Sequence, residues 1–118
     1  MIFDVLVVGA GAAGLTAALN LAPHARVGVI AKGESSTAWA QGGIAAVLEP
    51  GDTFEAHIAD TLAAGAGLCD PKVVEFVVER APAAIERLAE LGVPFTPGKT
   101  VSERFHLTRE GGHSARRI

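Results

Sequence analysis

Cysteine is almost absent from this sequence. Cys69 is the only one, so no internal disulfide can form, which fits a reducing compartment. No CxxC or HExxH pattern occurs, so metal ligation has little to rest on. Cys69 lies in GAGLCDP, just before a helix start, and reads first as a small buried hydrophobe and only second as a reactive thiol. Long hydrophobic runs are missing too. Gly, Pro or charge interrupts each apolar stretch within about ten residues, too short to span a bilayer. The N-terminus enters a strand-like segment directly, with no basic n-region and no small-residue cleavage site. A cytoplasmic protein without a membrane partner is therefore expected. The formal net charge is only -3 and is uneven. Residues 101–118 hold four of the ten basic side chains and two of the thirteen acidic ones. A mildly acidic body does not suggest nucleic acid binding, and the positive end suggests either a local anion site or a solvated tail.

What is present suits a folded chain. Its 118 residues, 49% hydrophobic and 19% charged, exclude a disordered composition and allow one domain at most. FDVLVVG, residues 3–9, reads as a buried parallel strand. GAGAAGLTAALNLA turns into a helix ending near Pro23, and RVGVIA, residues 26–31, is a second buried strand. Strand, Gly-rich turn, helix and strand form the opening of a doubly wound α/β fold. KGESSTAWAQGG, residues 32–43, is loop-like. IAAVL, residues 44–48, fits a short strand or the start of a packed segment, and EPGD, residues 49–52, a turn. Asp52 with Glu55 makes a capping-box pattern for a helix running to the glycines at 65 and 67. Asp70-Pro71 starts another helix with Val73, Val74, Phe76 and Val77 on one apolar face. Pro82 is expected to break or kink it before it stops at Gly92. Residues 93–105 read as a loop or loose hairpin.

Gly9, Gly11 and Gly14 have the G-x-G-x-x-G spacing between a strand and a helix, the context that a dinucleotide fingerprint requires. Gly9 permits the tight turn, Gly11 lets the backbone approach a pyrophosphate, and Gly14 lets helix and strand pack closely. A Gly/Ala-rich helix packed on a sheet is the plainer alternative. The acid expected at the end of the second strand is missing. Lys32 stands there, either as a surface lysine or near the adenosine end of a cofactor. A second Gly-rich stretch, SSTAWAQGGI, holds the only Trp and almost no charge. Such a loop can line a flavin with backbone N–H groups, or simply connect.

GAGAAG, STAWAQGGIAAV, DTLAAGAGLCD and HLTREGGHSARRI occur in the order seen in the L-aspartate oxidases, and the chain resembles that family within the succinate dehydrogenase and fumarate reductase flavoproteins. The resemblance implies a Rossmann-like FAD-binding βαβ opening with additional helices. It makes residues 1–118 the N-terminal part of a single FAD-binding domain, with the catalytic base, the main carboxylate-binding groups and the last strands beyond residue 118. It implies FAD contacts from Gly9, Ala10, Gly11, Ala12, Ala13, Gly14, Lys32, Ser36, Thr37, Ala38, Trp39, Ala40, Gln41, Gly42 and Gly43. Respiratory members carry a flavin-linking histidine where this chain has Ser36, so the FAD is expected to be non-covalent. The chain is also a few residues shorter between Lys32 and Ser36 than is usual in that family.

The implied reaction is oxidation of L-aspartate to iminoaspartate in NAD biosynthesis, with oxygen or fumarate as acceptor and handover of the imine to quinolinate synthase. Glu110 stands where respiratory members have a neutral residue. A carboxylate there can pair with the ammonium group that distinguishes aspartate from succinate. A surface pairing with Arg109 or Arg116 is the plainer role for it. His113 and Ser114 are further candidates, and Arg116 and Arg117, being adjacent, are not expected to face one ligand together. His24, His57 and His106 read as structural or exposed. A fumarate reductase or succinate dehydrogenase-type flavoprotein is the alternative enzyme, and a truncated, non-catalytic FAD-binding module the alternative to an enzyme.

Overall fold

A computed structural model describes residues 2–40, 42–100 and 103–117. Gln41, expected to contact the cofactor, lies outside the described residues. The chain divides into two compact units, Met1–Gly42 and Gly43–Ile118.

The first unit is the expected βαβ opening. β1 (Val5–Val8) and β2 (Val27–Ile30) pair in parallel, with Val5 opposite Val27 and Val8 opposite Ile30, and α1 (Ala12–Leu21) crosses between them. The ladder extends one step to a bond from the Gly9 N–H to the Ile30 carbonyl, 2.7 Å. Below it, the Arg26 guanidinium grips both Asp4 carboxylate oxygens at 3.0 Å. α1 turns its smallest residues inward. Gly14 and Ala18, one turn apart, are half-buried, while Leu15 and Leu19 are exposed. The strands correct the expectation of burial. Val5 and Val7 are half-buried, but Leu6 and Ile30 are exposed and Val8 is 82% exposed. A single crossover helix covers one face of a two-stranded sheet and leaves the other to solvent. The stretch at 32–43, expected as loop, also contains a one-turn helix, α2 (Ser36–Trp39).

In the second unit, residues 44–48 form no strand. Ala46 is buried there and its N–H donates to the Arg117 carbonyl at 3.1 Å. The turn at 49–52 is present, closed by the Asp52 N–H on the Glu49 carbonyl. The cap of α3 (Phe54–Ala64) moves by one residue. Thr53, not Asp52, caps it, its hydroxyl accepting from the Ala56 N–H at 3.1 Å. Asp52 is otherwise engaged, because its carboxylate holds the Arg117 guanidinium.

α4 (Pro71–Glu90) begins as expected, with the Asp70 carboxylate accepting from the Lys72 and Val73 N–H groups. Its buried face differs from the expected one. Val78 and Ile85 are buried and Val74 is half-buried, whereas Val73, Phe76 and Val77 are exposed. The expected four do share one side of the helix, but the packed side, marked by Val74, Val78 and Ile85, is turned from it by about one residue step, roughly 100°. Nor does Pro82 divide the helix, which runs through it for all 20 residues. The helix ends at Gly92 with the Gly92 N–H on the Ala89 carbonyl and the Val93 N–H on the Leu88 carbonyl, a Schellman arrangement. Of the stretch 93–105, expected as a loop or loose hairpin, residues 101 and 102 lie outside the described residues; the flanking parts meet through an antiparallel bridge between Pro97 and Phe105 and an edge-on contact of Phe95 with Phe105.

The packing of α1 on β1 sets one strict requirement. A Cβ at position 14 would fall on the Gly9 carbonyl oxygen, and that oxygen belongs to backbone that cannot swing aside. Gly14→Ala should therefore destabilise the first unit by about 1–3 kcal/mol, the usual cost of overpacking, measured as a lower urea midpoint.

Candidate functional site

The first unit builds a mouth at the start of α1. Gly9 leaves β1 with φ 112°, a conformation that L side chains rarely adopt, and so aims the chain sharply into the helix. The N-cap is Gly11, which has no side chain to cap with, and no acid occupies the first turn. The Ala12 N–H instead donates to the Thr37 hydroxyl at 3.1 Å, from 25 residues along the chain. Thr37 therefore joins the second Gly-rich stretch to the first, a link that no local pattern reveals. Orphan N–H groups, a positive helix end and the absence of carboxylates suit a phosphate. Lys32 is exposed two residues beyond β2. Ser36, Thr37, Ala38 and Trp39 make up α2, with Trp39 79% exposed, and Ala40 caps its end. Ala10 lies half-buried in the turn, Ala12 and Ala13 open α1, and Gly42 is exposed. Gly43 is exposed in the second unit.

In the second unit, the charged segment beginning at Thr108 folds back on itself. The His113 N–H donates to the Glu110 carbonyl at 3.2 Å, closing a turn over Gly111 and Gly112. Gly112 has φ 85°, which explains a glycine at the third position of this turn. The Arg117 N–H then reaches the Thr108 carbonyl at 3.0 Å and ties the two ends of the segment together.

Glu110 and Arg109 are exposed at the turn. Among the described residues, no ion pair or side-chain hydrogen bond engages the Glu110 carboxylate. Arg116, one of its two proposed surface partners, is committed to Glu49 and Glu103. A cavity of about 460 Å³ is lined by Glu49, Glu86, Glu103, Arg104 and Arg116 among others, but both its arginines already face carboxylates.

Behind the turn lies a buried polar cluster that the sequence did not disclose. The Arg117 side chain is fully buried. Its Nε and Nη2 donate to the two Asp52 oxygens at 2.6 and 2.7 Å, and its Nη1 donates to Asp60 at 2.6 Å. The same Asp60 oxygen accepts from both the N–H and the hydroxyl of Ser114 at 2.7 Å. His113 stacks obliquely on buried His57, ring centres 5.6 Å apart. These contacts separate the adjacent arginines as expected, one buried as a clamp and one on the surface.

The charges follow from the geometry. Ser114 and Arg117 together hold the Asp60 carboxyl far below the usual carboxylate range, and hydrogen bonding to Arg117 also lowers that of Asp52. Asp52, and then Asp60, hold the Arg117 proton more tightly than usual. Burial, with the nearby Arg117 and His113, pushes His57 down and keeps it neutral.

Comparison with known proteins now adds to this geometry. The FAD binding domain family matches residues 4–118. L-aspartate oxidase 1 of Ralstonia nicotianae is 57% identical over 100% of this chain and 23% of its own length. The L-aspartate oxidase of Pseudomonas aeruginosa is 54% identical over 98% of this chain and 23% of its own. The chain thus spans less than a quarter of the length of these relatives. Among solved structures, a variant of E. coli quinol fumarate reductase FrdA superposes with a TM-score of 0.87 at 36% identity, over 98% of this chain and 20% of that one. The Mycobacterium smegmatis Sdh1 complex superposes at 0.88 with 30% identity, over the same shares. No described helix is long and apolar enough to cross a membrane.

Two outcomes test the buried cluster. Arg117→Ala leaves two carboxylates without their cation and should lower stability by about 3–5 kcal/mol in urea unfolding. In acid, His57 takes up a proton in the unfolded chain before the folded one. Its contribution is complete above the ordinary imidazole value and is lost as pH falls through it, so the urea midpoint should drop from pH 7 to pH 5, and His57→Gln should flatten that drop. The contributions of Asp52 and Asp60 persist to lower pH, failing only below the ordinary carboxylate value of about 3.9.

Proposed function

Because the chain belongs to the FAD binding domain family, whose cofactor is FAD, we propose that it supplies the cofactor-binding opening and a substrate-selecting segment of an L-aspartate oxidase. Identities of 57% and 54% to proteins of that name, over essentially the whole chain, support the reading. The fold match to fumarate reductase is compatible with it, because one fold carries several chemistries and the site decides between them.

The first unit has features that fit the cofactor. Gly9, Gly11 and Gly14 open a close approach to the start of α1, and the Ala13 and Gly14 N–H groups there would meet a pyrophosphate. Ala10 and Ala12 complete that turn. Lys32 would sit toward the adenosine end, and residues 36–43 would line the flavin with backbone N–H groups. Ser36 offers a hydroxyl in place of the imidazole of covalent relatives, so the FAD is held without a bond to the chain. When bound, FAD accepts two electrons as a hydride equivalent.

Glu110 carries the choice of substrate. Its carboxylate sits at a turn with no cation engaged among the described residues. Paired with the aspartate ammonium group, it gains a charge-assisted hydrogen bond that succinate and fumarate cannot supply. The oxidation would remove a hydride equivalent from Cα, for which FAD would be the acceptor, and a proton from the ammonium group, which a general base would take, leaving protonated iminoaspartate. Oxygen or fumarate then takes the two electrons, and the unstable imine passes to an enzyme of quinolinate synthase type. His113 closes the turn through its N–H on the Glu110 carbonyl and lays its ring against His57. Together these features favour the oxidase over the fumarate reductase or succinate dehydrogenase-type alternative.

Two measurements on the full-length flavoenzyme test this. Acid precipitation should release the flavin band wholly into the supernatant. Glu110→Gln should lower kcat/KM for aspartate roughly 10- to 100-fold, the worth of one hydrogen bond to a charged group, while leaving inhibition by succinate unchanged or stronger. An unaltered aspartate preference would sink the assignment of Glu110.

A further inference from the structure

We propose that Asp60 and Arg117 are positioning residues for substrate choice. They fix the Glu110 turn on α3, and Ser114 transmits their hold. The inference rests on Glu110 being the ammonium-binding group.

The segment from Thr108 to Arg117 is a closed loop with one exposed tip. Its base is shut by the Arg117 N–H on the Thr108 carbonyl, and the Arg117 carbonyl is in turn fixed by the Ala46 N–H. Its far side is held by a single carboxylate oxygen of Asp60, which accepts from the Ser114 N–H, the Ser114 hydroxyl and Arg117 Nη1. Arg117 Nη2 also lies 3.4 Å from the Ser114 hydroxyl oxygen. Asp60 belongs to α3, whose own register is set by its Thr53 cap and by Asp52, the other holder of Arg117. From Ser114 back to Glu110 there are only four residues, and one bond closes the turn they form. The tip carries no apolar anchor, since Glu110, Gly111 and Gly112 are all exposed. The reach of the Glu110 carboxylate is therefore dictated by where Asp60 holds Ser114. An ion pair with an ammonium group tolerates little displacement, so loosening this attachment costs substrate discrimination before it costs fold.

This separates the roles of neighbouring groups. Ser114 keeps its hydroxyl on Asp60 and so contributes placement rather than chemistry. Arg117 is too deeply buried to meet a substrate carboxylate and acts through the same carboxylate. Both differ from Glu110, which touches the substrate.

The test uses the full-length FAD-loaded enzyme and the variants Ser114→Ala, Ser114→Thr, Asp60→Asn and Glu110→Gln. For each, KM and kcat for aspartate, the inhibition constant of succinate, the FAD dissociation constant and the urea midpoint are measured. Ser114→Ala and Asp60→Asn should raise the aspartate KM about tenfold and narrow the preference over succinate, with kcat and FAD affinity little changed. Ser114→Thr, which keeps the hydroxyl, should restore the preference. If Glu110→Gln erodes the preference but Ser114→Ala and Asp60→Asn only lower the urea midpoint, the cluster is structural and the proposal fails while the substrate reading stands. If Glu110→Gln leaves the preference intact, the substrate reading falls and takes this inference with it.

Discussion

A guanidinium removed from water sets the terms for the second unit. Arg117 has no solvent to hydrate it, and an unpaired buried charge is among the most expensive things a fold can hold. It is tolerable only because Asp52 and Asp60 both reach it, Asp52 with both oxygens, and because Thr53 and Ser114 donate to oxygens that also hold the guanidinium. Four chain segments must therefore meet at one point: the turn before α3, the second turn of α3, the segment at Ala46 and the loop from Thr108. Hydrophobic packing alone could not specify that meeting, because the fully buried apolar side chains of the described residues are few. The ion pair is less a source of net stability than a statement of register, fixing which residues lie opposite which.

The cluster also settles a division of labour between like residues. Arg116 and Arg117 differ by one position, yet one is exposed against half-buried carboxylates and the other is sealed. The same economy appears at the Gly pair, where Gly112 takes the conformation the turn needs and Gly111 has open space around it.

The parts of the fold legible in the sequence are those written in short-range patterns. Valine-rich runs around G-x-G-x-x-G yielded the parallel βαβ unit, and Asp70-Pro71 yielded the start of α4. The Gly-Gly pair marked a turn. What could not be read depends on partners far along the chain. Asp52 had the look of a cap, but a buried arginine 65 residues away outcompeted the helix N–H groups for it. Asp60 opens the stretch DTLAAGAGLCD, but nothing in that stretch names its partner Arg117, and His57 reads as an ordinary histidine until its neighbours are known. The apolar face of α4 was misplaced in its first half for a simpler reason: in VVEFVV five of six residues are apolar, so the pattern fits more than one side, and only packing selects Val74 and Val78, whereas the helical spacing farther on does mark Ile85. Pro82 continues the helix because one missing N–H is a local loss that a long helix with a packed face can absorb.

The bond between Thr37 and the first N–H of α1 makes two loops into one cooperative element. The start of a helix and a one-turn helix are each marginal alone, since neither closes enough hydrogen bonds to offset its ordering entropy. Sharing a bond means that whatever orders one end helps to order the other. A ligand gripping the mouth of α1 would thus bring residues 36–39 into line without touching them, and its free energy of binding would appear partly as the rigidity of a loop some distance along the chain.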